Sequence, residues 1–387
     1  MTQLKDYNLK ENPFDIFSHR HKMANRKDEW EKITRCLSSA FKEKYPRIFI
    51  LTGDYGCGKT YMLEQIFTWV SESKETARAV FVIYISPGAQ VMFGPRLSIM
   101  ETEPRWQKFG LSLITRIFDN IGRTKLAKAL KKIPVKKIEK LEFGKVFEGL
   151  RNSEEVAFNW VSGKKLTAKE LKTLGVSSNL SDSPTGLKLF FDFLKAIRMA
   201  GYASFLLLLD EFEYIPSILG EKKITQILNT FREIFDSFGM HEDLEPGMYA
   251  NPIFIFAASP GGWTRLEKLE KDALKKTGGG GIAPFMERIN KKDIIDLKPF
   301  SLDKTMELVK LRLSEVRVKP MNDPFFPFTE DCIKYIHEAS LNKPRNVIQY
   351  CKILIEDALE KEIKRIDVKK AKSILDGYGI SSESEAV

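Results

Sequence analysis

With 387 residues, 43% of them hydrophobic and 29% charged, the chain has the composition of an ordinary globular protein and room for one large or two modest domains. Its 62 Lys and Arg against 52 Asp and Glu give a net charge of +10, which suits either a polyanionic partner such as nucleic acid or the lysine-rich solvated surface of a heat-adapted protein. The four cysteines, Cys36, Cys57, Cys332 and Cys351, are too scattered for a zinc site or a disulfide framework; the start of the chain is polar, and the longest apolar runs are of strand length. A soluble, cytoplasmic protein without a membrane span is expected.

Residues Met1 to Lys27 read as irregular, with Asn12-Pro13-Phe14 and Arg26, before a helical pattern marked by Trp30, Ile33 and Leu37. Then comes Ile48-Phe49-Ile50-Leu51-Thr52-Gly53-Asp54-Tyr55-Gly56-Cys57-Gly58-Lys59-Thr60. An apolar strand runs into the spacing G-x-x-x-x-G-K-T, and an amphipathic helix beginning Tyr61-Met62-Leu63 follows, which is the context of a phosphate-binding P-loop. Glycines let backbone N–H groups turn inward onto phosphate oxygens, Lys59 reaches the outer phosphates, and Thr60 ligates Mg²⁺. The run Gly53, Asp54, Tyr55, Gly56, Cys57, Gly58, Lys59, Thr60 and Tyr61 is therefore the candidate nucleotide-binding segment, with ATP and Mg²⁺ the expected ligands. Phe14, Phe17 and Met23 are candidates for apolar contact with the adenine or for packing onto the core.

Continuous apolar runs at Ala79–Ser86, Phe205–Leu209 and Ile253–Ala258, with a shorter one at Asp293–Leu297, read as strands buried on both faces of a parallel sheet. Alternation with helical stretches predicts a doubly wound α/β fold with its ligand at the carboxyl ends of the strands. The second and third strands are too far apart for one crossover helix, so an insertion is expected at about 88–186. Helical patterns cover Trp106–Ile121, Leu126–Leu150 and Glu154–Trp160, and Leu187–Met199 leads back to the sheet. Lys125, Lys128, Lys131, Lys132, Lys136, Lys137, Lys140 and Lys145 cluster around Pro134, either to neutralise nucleic-acid phosphates or as a solvated face.

The apolar strand Phe205-Leu206-Leu207-Leu208-Leu209 ends in Asp210-Glu211, a Walker B pattern. Asp210 would hold Mg²⁺ through water and Glu211 would polarise the attacking water, although such a pair can also cap a helix. Ser259 ends the next strand, where it would either orient the water or open the turn Pro260-Gly261-Gly262. Thr277-Gly278-Gly279-Gly280-Gly281 reads as a flexible loop before Phe285. From Ser301 the pattern is helical: Leu302–Val316, Glu330–Ala339, Pro344–Lys361 and Asp367–Leu375, with a loop at Pro320–Pro327 and an acidic tail at 381–387. Arg345, next to Pro344 at a helix start, can reach a γ-phosphate and couple the lid to nucleotide state. The domains expected are an α/β ATPase domain over 1–300 and a helical lid over 301–380.

The order P-loop, long crossover, Asp210-Glu211, polar-ended strand, Arg288 in Phe285-Met286-Glu287-Arg288-Ile289, strand and helical lid with Pro344-Arg345 resembles the AAA+ ATPases, in the branch containing archaeal origin-recognition initiators. Asn159-Trp160-Val161-Ser162-Gly163, Leu174-Gly175-Val176 and Gly201-Tyr202-Ala203 before the Asp210-Glu211 strand are similar to the W-x-x-G, L-G-V, G-Y and L-D-E run of BREX-type phage-defence ATPases, BrxC/BrxD-like. The resemblance implies an AAA+ α/β fold with a parallel sheet flanked by helices, Arg288 as an arginine finger completing a neighbouring subunit's site, and Arg345 as sensor 2. The chain is far shorter than the large BREX ATPases and shows no winged-helix pattern after the lid, so base-specific reading by a C-terminal domain is not expected. It further implies an ATPase acting on or near DNA in phage defence, a homo-oligomer in the ATP state and a partner helicase or nuclease. The alternatives are a replication-initiator or transposition-type regulator and a nucleotide-gated signalling scaffold.

Overall fold

Strand order in the sheet is β2-β3-β4-β1-β5, where β1 is Arg47–Thr52, β2 Val80–Ile85, β3 Ser204–Leu209, β4 Asn251–Ala258 and β5 Ile294–Asp296. The structure, a computed structural model, describes residues 3–15, 24–43, 45–85, 109–212, 221–240, 247–276 and 285–380. Phe17, Met23, Ser86, Trp106, the glycine tract from Thr277 to Gly281 and the acidic tail lie outside them. The pairs β1–β4, β2–β3 and β3–β4 are parallel, and Thr52 is in register with Ala258 and Leu209 with Phe256. The residues that follow β3 and β4, Asp210 and Ser259, therefore leave the sheet at the same edge, the one where β1 also ends.

Two compact units make up the chain: Met1–Lys32, Gly53–Tyr61 and Asp296–Val387 form one, and Ile33–Thr52 with Met62–Ile295 the other. The sequence reading places all of 1–300 together, whereas the N-terminal segment and the P-loop group with the C-terminal helices.

In the sheet-bearing unit, side chains alternate across the strands. Phe81, Ile83, Phe205, Leu207, Phe254 and Phe256 share one core with the inserted helices. Phe49, Leu51, Leu206, Leu208, Ile253 and Ile255 point the other way and are buried too, which is why the strands read as unbroken apolar runs. The expected Leu126–Leu150 helical pattern is broken into Arg123–Leu130, Val135–Ile138 and Gly144–Arg151. Pro134 cannot continue a helix and instead caps the short second piece. Among the described residues, the helices Thr76–Ala79, Ala168–Leu174, Glu221–Met240 and Pro260–Lys276 were not read from the sequence. Pro260-Gly261-Gly262, read as a turn, is the first turn of the last of these, because proline suits the opening of a helix and the Ser259 hydroxyl accepts the Gly262 N–H at 3.1 Å.

The tryptophan and glycines of the insertion are fold-making residues. Gly163, Gly175 and Gly201 all have positive φ, and each closes a helix with the same pair of bonds. Lys164 and Gly163 donate to the Asn159 and Trp160 carbonyls, Val176 and Gly175 to Leu171 and Lys172, and Tyr202 and Gly201 to Ile197 and Arg198. This is the Schellman closure, in which a left-handed residue caps the orphan carbonyls of the last turn. Trp160 is buried beside the first of these stops, and its Nε1–H donates to the Ser178 carbonyl at 3.0 Å.

In the other unit, the helices Leu302–Val316, Glu330–Ala339, Pro344–Glu360 and Val368–Gly377 pack around Leu308, Leu313, Ile333, Val347, Leu354 and Ile374. Tyr7, Leu9 and Phe14 belong to the same core. Phe14 meets Phe328 edge-on, so among the two readings of this residue the structure places it in packing. The Lys10 N–H donates to the Val316 carbonyl and the Val318 N–H to that of Asn8, which ties the N-terminal segment to the end of the first lid helix.

A Cβ at Gly163 would lie 3.0 Å from Thr115 Cγ2 at a φ of +76, whereas one at Gly261 meets nothing within 4 Å at an ordinary helical position. Gly163→Ala should therefore lower the unfolding free energy by about 1–2 kcal/mol, and Gly261→Ala should leave it unchanged or raise it by about 0.5 kcal/mol. Urea denaturation of the two variants checks both signs.

Candidate nucleotide site

A loop that turns its N–H groups toward phosphate must turn carbonyls outward, and each needs a donor. The P-loop meets this demand with cations and backbone from its own unit. The Gly56 carbonyl accepts the Arg345 N–H at 3.2 Å, and the Cys57 carbonyl accepts Nη2 of Arg26 at 2.9 Å. Lys59 Nζ donates to the carbonyls of Gly53 at 2.7 Å and Asp54 at 3.2 Å. Gly53 sits so close to the chain after β5 that a Cβ would be 2.7 Å from the Leu297 carbonyl oxygen, so only glycine fits.

Arg26 is buried and fully engaged. Besides Cys57 it donates to the Lys298 carbonyl at 2.7 Å and to Glu29 at 2.8 Å, and its guanidinium lies 4.7 Å from the centre of the Phe300 ring. The Cys57 thiol is buried and pushed above its ordinary pKa by that burial, so it stays protonated and unreactive. Thr60 is exposed at the start of the Lys59–Glu72 helix, Tyr61 is half-buried, and Asp54 and Tyr55 are exposed. Arg345, at the start of the Pro344–Glu360 helix, donates from Nη1 to the Tyr55 hydroxyl at 2.8 Å and stacks on its ring at 5.0 Å.

The sheet-bearing unit holds the remaining candidates. Asp210 is 1% exposed; one oxygen accepts the Tyr84 hydroxyl at 3.1 Å and the other the Glu211 N–H at 2.9 Å. Among the described residues no Lys or Arg pairs with it. A carboxylate buried without a counter-charge is costly, and this one fits the outer shell of a divalent cation. Glu211 has a φ of 48°, the left-handed region, at a cost of about 1–3 kcal/mol for a residue with a Cβ. Phe212 enforces it: its N–H donates to the Ala257 carbonyl at 2.8 Å, and its ring stacks on Phe256 at 4.5 Å. Ser259 follows β4, which lies between β1 and β3, and its hydroxyl caps the Pro260–Lys276 helix.

Arg288 ends the short turn Phe285–Arg288. Its Nε and Nη2 donate to Oδ1 of Asp236 at 3.0 and 2.7 Å, while Arg232 lies 3.6 Å from the other oxygen. Glu270 anchors the turn by accepting the Phe285 and Met286 N–H groups at 2.6 and 3.1 Å. Burial raises the Glu270 pKa.

Sequence reading overlooked Tyr84, Asp236, Glu270 and the role of Arg26. Tyr84 had a signal, as the one side chain with a hydroxyl in an otherwise apolar strand. The role of Arg26 had none, since the carbonyls it bonds, those of Cys57 and Lys298, are backbone groups far along the chain.

Arg26→Ala leaves the Cys57 and Lys298 carbonyls without their donor and loosens the loop. Nucleotide affinity should fall roughly tenfold, with partial recovery in Arg26→Lys. Titration calorimetry with ADP reads this directly, and an unchanged affinity would mean that the loop holds its shape unaided.

Comparison with known proteins adds to this geometry. Among solved structures the chain is similar to the ORC2 protein of Aeropyrum pernix in its ADPNP-ADP complexes, with a TM-score of 0.53 and 12% identity over 98% of this chain and 73% of that one. It is also similar to Drosophila ORC bound to DNA, with a TM-score of 0.51 and 12% identity over 97% of this chain and 66% of that one. At such identities the likeness is one of fold alone, the AAA+ P-loop fold of a parallel sheet flanked by helices. An uncharacterized HTH-type transcriptional regulator of Methanocaldococcus jannaschii is 35% identical over 98 residues, which is 25% of this chain and 23% of that protein, so the match spans about a quarter of the relative's length. The family model for the BREX system ATP-binding protein BrxC/D matches residues 143–348, from the helix stops of the insertion through Asp210-Glu211 and Arg288 to Arg345. That is more than half of the 387 residues, and the chain belongs to the BrxC/D family of BREX system ATP-binding proteins.

Proposed function

We propose that the chain binds ATP with Mg²⁺ and hydrolyses it, and that turnover serves work on or near DNA in defence against phage. The observation that carries the reading is the P-loop, whose Gly53, Asp54, Gly56 and Cys57 carbonyls are bonded by Lys59, the Arg345 N–H and Arg26 in an arrangement that suits a phosphate cradle. The ammonium of Lys59, resting on two loop carbonyls, exchanges these for phosphate oxygens when ATP arrives. Mg²⁺, when bound, neutralises charge on the outer phosphates; Thr60 and Asp210 are the residues that would hold it. Glu211, held out of ordinary geometry by Phe212, accepts a proton from the attacking water, and Ser259 helps to orient that water. Arg345 contacts the γ-phosphate from the lid, and Arg288 acts on the site of a neighbouring copy in a homo-oligomer, once it leaves Asp236.

Support for DNA as the partner comes from the insertion. Lys128, Lys131, Lys136, Lys137, Lys140 and Lys145 are exposed, which leaves them available to phosphates. Two cluster members are used otherwise: Lys125 donates to the Val82 carbonyl at 2.7 Å, with burial lowering its pKa, and Lys132 lies over the Tyr202 ring at 4.5 Å. The DNA named for the Drosophila structure is consistent with a fold that can serve there. A second reading, a nucleotide-gated switch that turns over little, is favoured by the ion pair holding Arg288 on Asp236.

Glu211→Gln should leave ATP affinity within about twofold of the parent while lowering kcat at least a hundredfold, roughly the contribution of a positioned general base. Steady-state phosphate release and calorimetry separate the two quantities, and parental turnover in this variant would remove Glu211 from the chemistry.

Reversal of Lys131, Lys136, Lys137 and Lys140 to Glu should weaken DNA binding and flatten its dependence on log salt by up to about 4. Fluorescence anisotropy at several salt concentrations measures both, and DNA binding equal to the parent's would make the cluster a solvated face.

A further inference from the structure

The P-loop holds the lid arginine through a residue that the phosphate chemistry itself does not require. Tyr55 occupies a freely variable position of the G-x-x-x-x-G-K-T spacing and is 63% exposed, an unusual setting for an aromatic ring. Its ring carries the Arg345 guanidinium at 5.0 Å, and its hydroxyl accepts Nη1 at 2.8 Å. The other end of the same residue is pinned as well, since the Arg345 N–H, one of the orphan donors of its helix start, is taken by the Gly56 carbonyl at 3.2 Å. The backbones are close, as a Cβ at Gly56 would lie 3.3 Å from Arg345 Cβ. Pro344 before it stiffens the helix opening.

Among the described residues these are the polar partners of Arg345, so Nη1 is committed while the Nε and Nη2 edge keeps its donors. That edge is the one that grips a phosphate or carboxylate in bidentate fashion. A long arginine side chain otherwise loses rotamer freedom when it meets an anion, and a ring that stacks the planar group beforehand removes much of that loss. We propose that Tyr55 is a positioning residue that presets Arg345 for the terminal phosphate, so that the P-loop itself makes the lid sensitive to ATP rather than ADP. The inference rests on the reading of Arg345 given above and adds a residue and a physical cause to it.

Calorimetric titration with a non-hydrolysable ATP analogue and with ADP, both with Mg²⁺, tests this without relying on turnover. The parent should prefer the triphosphate. Tyr55→Leu should reduce that preference about tenfold and Tyr55→Phe, which keeps the ring and loses the hydroxyl, about threefold, read as the ratio of the two affinities measured for each variant. In an Arg345→Ala background Tyr55→Leu should have no further effect, because residues acting through one another are not additive. Full preference in Tyr55→Leu, or an equal loss with and without Arg345, overturns the proposal. A parent that binds both nucleotides alike also overturns it, by removing the phosphate reading that Tyr55 is said to serve. Absence of any nucleotide binding by the parent is the separate result that defeats the ATPase reading and this inference with it.

Discussion

The carbonyls of Gly53, Asp54, Gly56 and Cys57 govern the unit that carries the P-loop. Backbone N–H groups can converge on phosphate only if the carbonyls diverge, and diverging carbonyls away from water must find donors. The donors are Arg26 from before the first helix, Arg345 from the lid and Lys59 from the loop itself. Each comes from a different part of the sequence. The N-terminal segment and the lid helices thus form one compact unit with the loop, and Tyr7, Leu9 and Phe14 hold that unit together through the lid core. Arg26 and Lys59, in satisfying loop carbonyls, also place positive charge beside the loop, the setting that a polyphosphate ligand favours.

A comparable economy operates in the sheet-bearing unit. Phe212, Phe231, Phe254, Phe256 and Phe285 stack into a buried aromatic cluster. Phe212 is fixed there by its ring and its N–H, and the residue before it must take up the strain. That residue is Glu211. Strain of this kind persists where the surrounding packing over-determines it, and it is a feature of residues whose direction matters. Asp210 is buried with neutral hydrogen bonds from Tyr84 and the Glu211 N–H, a setting that leaves its charge for a cation to balance.

The tryptophan and glycines by which the insertion resembles BREX-type ATPases carry no chemistry of their own. The glycines end helices through Schellman closures at Gly163, Gly175 and Gly201, and Trp160 packs beside the first of them. The family match over residues 143–348 takes in all three stops and runs on past the lid arginine, so the later part of the insertion lies within the matched region.

Sequence alone determined the features that depend on local chemistry. The P-loop spacing, the carboxylate pair at a strand end and the apolar runs that became β1 to β4 are local, because a phosphate cradle and a strand buried on both faces each impose their residue types over a few positions. The lid helices Leu302–Val316 and Glu330–Ala339 were legible to the residue, since their apolar spacing coincides with capping residues Ser301 and Thr329. Glu221–Met240 and Pro260–Lys276 were not, because a glycine-rich opening hides the second and nothing in the chain marks the start of the first. Only the tertiary structure decided that Arg26 and Arg345 bond the loop carbonyls, that Arg288 rests on Asp236, and that Phe212 forces Glu211 into a left-handed turn. In each case the partner is distant in sequence and the bond goes to backbone, to a ring or to a charge that many residues could supply, so no spacing in the chain records it.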